Sequence, residues 1–151
     1  MTNGMISAID LARYVIWYAC SKRQYITNLK LQKLLYYLQG EYLQKNNRLL
    51  FSDDIQAWPY GPVVPSVYFE YCGNGAMWLY PKDGDCDVLN DCDIQLRTDI
   101  NAILDKYLPH RAGELVARSH QEIPWQRHAE AVGCGLKPSI TEDDMRAQFC
   151  M

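Results

Sequence analysis

Thr27-Asn28-Leu29-Lys30-Leu31-Gln32-Lys33-Leu34-Leu35-Tyr36-Tyr37-Leu38, running on to Tyr42, is the stretch whose periodicity decides the fold class. Leu31, Leu34, Leu35, Leu38 and Tyr42 recur at the spacing that puts apolar side chains on one side of an α-helix. Thr27 or Asn28 can accept the first-turn amide hydrogen bonds that a helix leaves unmade, and Asn46-Asn47 ends the run. Lys30, Lys33, Gln39 and Lys45 fall opposite the apolar stripe and read as a solvated face.

Outward from this segment the pattern stays helical. Ser7-Ala8-Ile9-Asp10 has the form of a capping box, and Leu11, Val15, Ile16 and Ala19 follow on one face. On the other side, Phe51, Ile55 and Ala57 sit among polar residues and imply a short extended stretch. Trp58-Pro59-Tyr60-Gly61-Pro62 then reads as a rigid loop, since prolines forbid a continuous helix and Gly61 allows backbone geometry that side chains obstruct. Pro65 suits the first turn of a short helix carrying Val67, Tyr68 and Tyr71, with Gly73 as its left-handed cap.

A further helix is expected over 93–108, where Leu96, Ile100, Ile103, Leu104 and Tyr107 share a face and Pro109 stops the run. A short one follows over 113–120 on Leu115 and Val116. Pro124 opens another through Ala131, with Gly133 as its cap. Ser139-Ile140-Thr141-Glu142 marks the start of a terminal helix that uses Met145 and Phe149. The expected fold is mainly α: a compact single-domain helical bundle over 1–151, with short extended segments and a long acidic loop.

With 151 residues and 48% hydrophobic content, the chain can bury one core without disulfides or metals. A formal charge of -3 supplies no basic field for phosphates and disfavours nucleic acid as a partner. The opening Met1 to Ile6 lacks the charged and then apolar pattern of a leader, and no apolar run reaches membrane-spanning length. The expected setting is cytoplasmic, with no membrane partner. The six cysteines form no CxxC pair and read as reduced thiols rather than as a zinc site.

Asp83, Asp85, Asp87, Asp91 and Asp93 crowd into a segment read as an exposed acidic loop. Asp83-x-Asp85-x-Asp87 opens like a calcium loop, but Val88 stands where the sharp turn needs Gly and Ile94 where the bidentate Glu belongs. A nucleophilic enzyme needs Ser or Cys beside an oriented base, and the histidines are His110, His120 and His128. Cys134, between Gly133 and Gly135, is the candidate nearest a histidine, His128; a helix end followed by a turn explains those glycines equally. His120 and His128 lie on either side of Pro124 and are not a helical metal pair. Phosphate-cradling glycine loops are absent. The expectation is no catalytic residue, no metal and no cofactor. Trp58, Tyr60, Trp78 and Trp125 are either stacking platforms or locks for loops.

Residues 27–37, followed by Ala57-Trp58-Pro59-Tyr60-Gly61-Pro62-Val63-Val64, resemble the Panacea, or SocA-like, antitoxin domain, which includes the phage-associated GepA-like proteins. The resemblance continues through Val67-Tyr68, Leu115, Ser119-His120 and Pro124-Trp125 to Phe149. It implies a helical, non-enzymatic type II antitoxin that binds and neutralises a protein toxin, usually encoded by the adjacent gene, with toxin identity varying widely.

One member acts instead as a proteolytic adaptor, which makes an ATP-dependent protease the alternative partner. A small hydrolase using Cys134 and His128 is a third reading. DNA-binding autoregulation has no support from an evident recognition helix. The partner-binding candidates under this resemblance are Lys30, Lys33, Tyr37, Trp58, Tyr60, Gly61 and Pro62, on the 58–62 loop and the outer side of the second helix. Leu34, Tyr36, His120, Pro124 and Trp125 are signature positions expected to build the scaffold. Residues 78–93 match no part of the signature.

Overall fold

In the computed structural model of the protein, residues 5–151 are described; residues 1–4, part of the stretch read as lacking a leader pattern, lie outside them. Ser7 Oγ accepts the Asp10 amide at 3.1 Å and starts α1 (Ala8–Ser21). Thr27 Oγ1 accepts the Lys30 amide at 3.3 Å at the head of α2 (Asn28–Asn46), and Asn47, with φ of 55°, closes that helix in the left-handed region. Both caps fall where the sequence places them.

Between the helical parts lies a small antiparallel sheet of order β2-β1-β3. Its strands are β1 (Ile55–Trp58), β2 (Gly61–Val63) and β3 (Ser139–Ile140). Trp58 pairs with Gly61 and Ala57 with Pro62, so the stretch expected as a rigid loop is the corner and second strand of a hairpin. Pro59 and Tyr60 form the corner. Pro62 sits in an edge strand, where a missing N–H removes no ladder bond.

Helix α3 (Pro65–Tyr71) begins on its proline, as expected. Gly73 does not cap it: a 3₁₀ turn over Cys72–Asn74 continues the chain, and Gly75 takes the positive φ of 57°. A second 3₁₀ turn, Asp85–Asp87, precedes α4 (Ile94–Tyr107), which Asp93 caps through the Gln95 amide at 2.6 Å. Then come α5 (Ala112–His120), α6 (Ile123–Gln126), α7 (Ala129–Gly133) and α8 (Glu142–Phe149). The helix expected from Pro124 through Ala131 is broken, because Arg127 and His128 turn to Asp144 on α8 at 3.1 and 2.8 Å. The positive φ beyond it belongs to Gly135, at 86°, and not to Gly133.

Helix α2 is the axis of the molecule, packed by α1, α3, α4, α5, α8 and β2. Leu31, Leu34, Leu35 and Leu38 are buried in one continuous core with Leu11, Ile100 and Leu104, each burial contributing about 1.5–3 kcal/mol. The face of α2 expected to be solvated is mostly buried. Lys30, Lys33, Tyr37 and Gln39 are all buried, Lys33 completely, and only Lys45 of that set is exposed.

Burial is tolerated because each polar head finds a partner. Lys30 Nζ donates to Leu108 O at 2.6 Å, Lys33 Nζ to Pro62 O at 2.8 Å and Gln39 Nε2 to Phe51 O at 2.7 Å. Among the described residues, no buried side-chain nitrogen or oxygen lacks a partner.

The acidic segment is anchored rather than free. Leu79 and Leu89 are buried, and so, against expectation, is Asp85, which accepts from Arg13 Nε and the Lys82 amide, both at 2.8 Å. Among the described residues no group of three His, Cys, Asp or Glu side chains is placed to hold a metal ion. No helix there is long and apolar enough to cross a membrane.

Candidate interaction site

Gly61 has φ of 103°, a region that L side chains rarely adopt, and a Cβ there would lie 2.6 Å from Ser119 Oγ and 3.0 Å from Lys33 Cε. Its bare backbone therefore lets the hairpin close onto α2 and α5. The approach is fixed by donors aimed at the hairpin main chain. Trp125 Nε1 donates to Trp58 O at 2.8 Å, His120 Nε2 to Pro59 O at 2.9 Å, and Lys33 Nζ to Pro62 O at 2.8 Å. Gln32 Oε1 accepts the Val64 amide at 2.9 Å.

A carbonyl can only accept, so Nε2 of His120 carries a proton in this arrangement. The His120 ring packs on Trp125 at 4.3 Å between centroids. Burial lowers the Lys33 ammonium to about 7, since no carboxylate accompanies it in the interior.

Behind the clasp lies a buried acid. Tyr36 and Tyr37 donate to Glu122 Oε1 at 2.9 and 3.0 Å, and Arg118 Nε reaches Glu122 Oε2 at 3.4 Å. Burial raises the Glu122 carboxyl above its ordinary range, opposed by the two hydroxyls and by Arg118. Burial and the charge on Glu122 also raise both tyrosines. Tyr37 stacks on Tyr107 at 4.4 Å, with the Arg118 guanidinium 5.2 and 5.3 Å from the two rings. This cluster seats the α5–α6 junction on α2, which aligns Ser119, His120 and Trp125 with the hairpin.

The clasp occupies the hairpin main chain; Ile55, Ala57, Pro62 and Val63 are buried, while Trp58 and Tyr60 reach the surface. Tyr60 is 70% exposed at the corner. Trp58 is half-buried, edge-on to Tyr68 at 4.8 Å, with Lys137 Nζ 4.5 Å from its ring centroid. Phe69, 64% exposed on α3, lies 6.1 Å from Trp58 and 5.3 Å from Tyr68. Trp58, Tyr68 and Phe69 thus form one aromatic cluster, with Tyr60 exposed at the hairpin corner two residues beyond Trp58. Exposed rings on a fixed backbone are suited to binding a partner.

The structure divides the sequence candidates into two sets. Trp58 and Tyr60 face solvent wholly or in part, whereas Lys30, Lys33, Tyr37, Gly61 and Pro62 are buried. His120 and Trp125 hold the hairpin, and Leu34, Tyr36 and Pro124 are buried beneath it.

Sequence reading missed Glu122 and Arg118, which carry no local signal. Phe69 did carry one: Val67-Tyr68-Phe69 spans more of a helix circumference than one core-facing stripe, so one of the three must face out. His128 is committed to Asp144 at 2.8 Å, and Cys134 is exposed on the turn after α7. A cavity of about 710 Å³, lined by Tyr42, Arg48, Leu49, Cys92, Leu96 and Arg146 among others, contains none of the candidates.

The family described as Antitoxin SocA-like, Panacea domain, matches residues 31–126, from inside α2 to the end of α6, and so contains every residue of the clasp. Antitoxin SocA of Caulobacter vibrioides (strain NA1000 / CB15N) is 33% identical over 120 residues, which is 74% of this chain and 64% of that protein. The chain thus aligns with less than two thirds of that relative's length. No solved structure matches. The family match over residues 31–126, together with the 33% identity to that relative, places this protein in the SocA-like antitoxin family built on the Panacea domain.

Proposed function

We propose that this chain is an antitoxin that neutralises a protein toxin by direct contact, with the hairpin and α3 surface as the docking site and the cytoplasm as the place of action. One observation carries the reading. Signature residues from α2, α5 and α6 spend their hydrogen bonds on the hairpin main chain, and the result is an outward aromatic surface held in one geometry. Rigid aromatic anchors lose little entropy on binding, and a few of them supply most of an interface's free energy. Inhibition by occlusion needs no catalytic group and no cofactor. The family relationship supports assigning the occupant as a toxin, the product of the neighbouring gene.

The test is co-expression with the protein encoded beside this chain, scoring growth and then isolating the complex. Restored growth with a stable stoichiometric complex is the expected result. Restored growth with partner loss that requires an ATP-dependent protease would replace sequestration by an adaptor role. Neither rescue nor complex would overturn the proposal.

A further inference from the structure

Residues 77–93 contribute nothing to the clasp, yet the fold holds part of this segment firmly. The Leu79 amide donates to Ile26 O at 2.8 Å and the Leu79 side chain is buried, which turns its neighbours Trp78 and Tyr80 outward. Trp78 is 52% and Tyr80 62% exposed, and the ring of Tyr25 lies 6.4 and 6.0 Å from theirs. Beside Tyr80 opens a cleft of about 310 Å³ whose lining includes Ile9, Glu70, Tyr71, Lys82 and Asp83.

The cleft carries three acids, Glu70, Asp83 and Asp85, against two bases, Arg13 and Lys82. Arg13 is already engaged by Asp85 at 2.8 Å and lies 3.7 Å from Asp10. Among the described residues, Glu70, Asp83, Asp87 and Asp91 form no ion pair. Exposed rings bordered by unpaired carboxylates suit side chains with an apolar stem and a cationic head, which stack on the rings and extend to the acids. Helix α3 links this face to the hairpin, since Tyr68 and Phe69 join the Trp58 cluster while Glu70 and Tyr71 line the cleft.

We propose that the Tyr25, Trp78 and Tyr80 face, with the cleft beside it, seats a basic segment of the partner toxin. Arginine or lysine stems lie on the three rings, and the charged heads meet Glu70 and Asp83. Assigning the segment to a toxin rests on the antitoxin reading above; the chemistry of the surface does not.

The experiment titrates the isotopically labelled full chain with an acetylated, amidated peptide of four Arg-Leu repeats, followed by amide and indole NMR signals. Saturable shifts are expected at the Trp78 indole and around Tyr80 and Glu70, with the Trp58 and Trp125 indoles unmoved. Affinity is expected to fall about tenfold in a Trp78→Ala, Tyr80→Ala double variant and again in a Glu70→Lys, Asp83→Lys variant, and to weaken as salt is raised. The matching Glu-Leu peptide should not bind. Absence of saturable shifts, shifts confined to the hairpin, or equal affinity in both variants would overturn the proposal. A chain that seats the peptide but forms no complex with its neighbouring gene's product defeats the antitoxin reading. A toxin complex unchanged by the same variants defeats only the basic-segment proposal.

Discussion

Trp125 donates its indole N–H to the main-chain carbonyl of Trp58 at 2.8 Å, joining residues 67 positions apart in the chain. The bond ties α6 to the hairpin corner and removes one degree of freedom from the surface that Tyr60 crowns. Replacing Trp125 with Phe keeps most of the ring packing on His120 and deletes the donor. A loss of about 1–2 kcal/mol is expected, read as a lower midpoint in urea unfolding. An unchanged midpoint would show that the clasp does not depend on this bond.

Gly61→Ala meets two obstacles, a φ of 103° and a Cβ position 2.6 Å from Ser119 Oγ. Backbone strain and overpacking together should cost about 2–4 kcal/mol. In a Ser119→Gly background the steric part is relieved and the conformational part remains, so a double-mutant cycle should recover only some of the loss.

Tyr60→Ala and Phe69→Ala remove exposed rings and should leave unfolding free energy within about 0.5 kcal/mol of the parent. Affinity for the toxin should fall about tenfold or more for each, equivalent to about 1.4 kcal/mol. Titration calorimetry with the purified partner checks this, and full affinity in both variants would move the docking site elsewhere.

Lys33 supplies a pH signature. Burial lowers its ammonium to about 7, while the unfolded chain keeps the ordinary value of about 10.4. Between those values the unfolded chain binds a proton that the folded chain has released, so folding stability contributed by this group rises with pH. The slope approaches about 1.4 kcal/mol per pH unit inside that window and vanishes below it. Unfolding free energies measured from neutral pH upward should show the rise in the parent and lack it in Lys33→Met, apart from a constant offset for the lost Pro62 hydrogen bond.

Gly40 on α2 sits directly under the Phe149 ring of α8, where an added Cβ would collide with the ring. Gly40→Ala should therefore destabilise by about 1–3 kcal/mol despite the better helix propensity of alanine. Shortening the obstacle with Phe149→Leu should reverse the sign of the Gly40→Ala effect, which thermal unfolding of the four combinations would show.

The helices were legible because their causes are local. Ser7, Thr27 and Asp93 cap helices where their own side chains reach the next turn, and Leu31 to Tyr42 carry a helical period that no other secondary structure satisfies. The capping box expected from Ser139 lies two residues later, on Thr141 and Asp144, because Ser139 and Ile140 pair with β1. The aromatic and proline-glycine cluster at 58–62 was legible as special, but its form was not. The strand leading into it, β1, pairs through Ile55 and Gln56 with Ile140 and Ser139, far along the chain, and a pairing of that kind leaves no mark on nearby residues.

The exposed side of α2 was misread for a related reason. Lys30, Lys33 and Gln39 look solvated by type alone, and only the assembled neighbours supply the carbonyls of Leu108, Pro62 and Phe51 that make their burial tolerable. From the sequence by itself came the mainly helical fold and the family resemblance, since both rest on residue types at short spacings. The tertiary structure alone decided that Lys33, His120 and Trp125 meet around one hairpin while Trp58, Tyr60 and Phe69 face outward, because convergence depends on packing between distant elements, where hydrogen-bond partners and solvent access are set by three-dimensional neighbours.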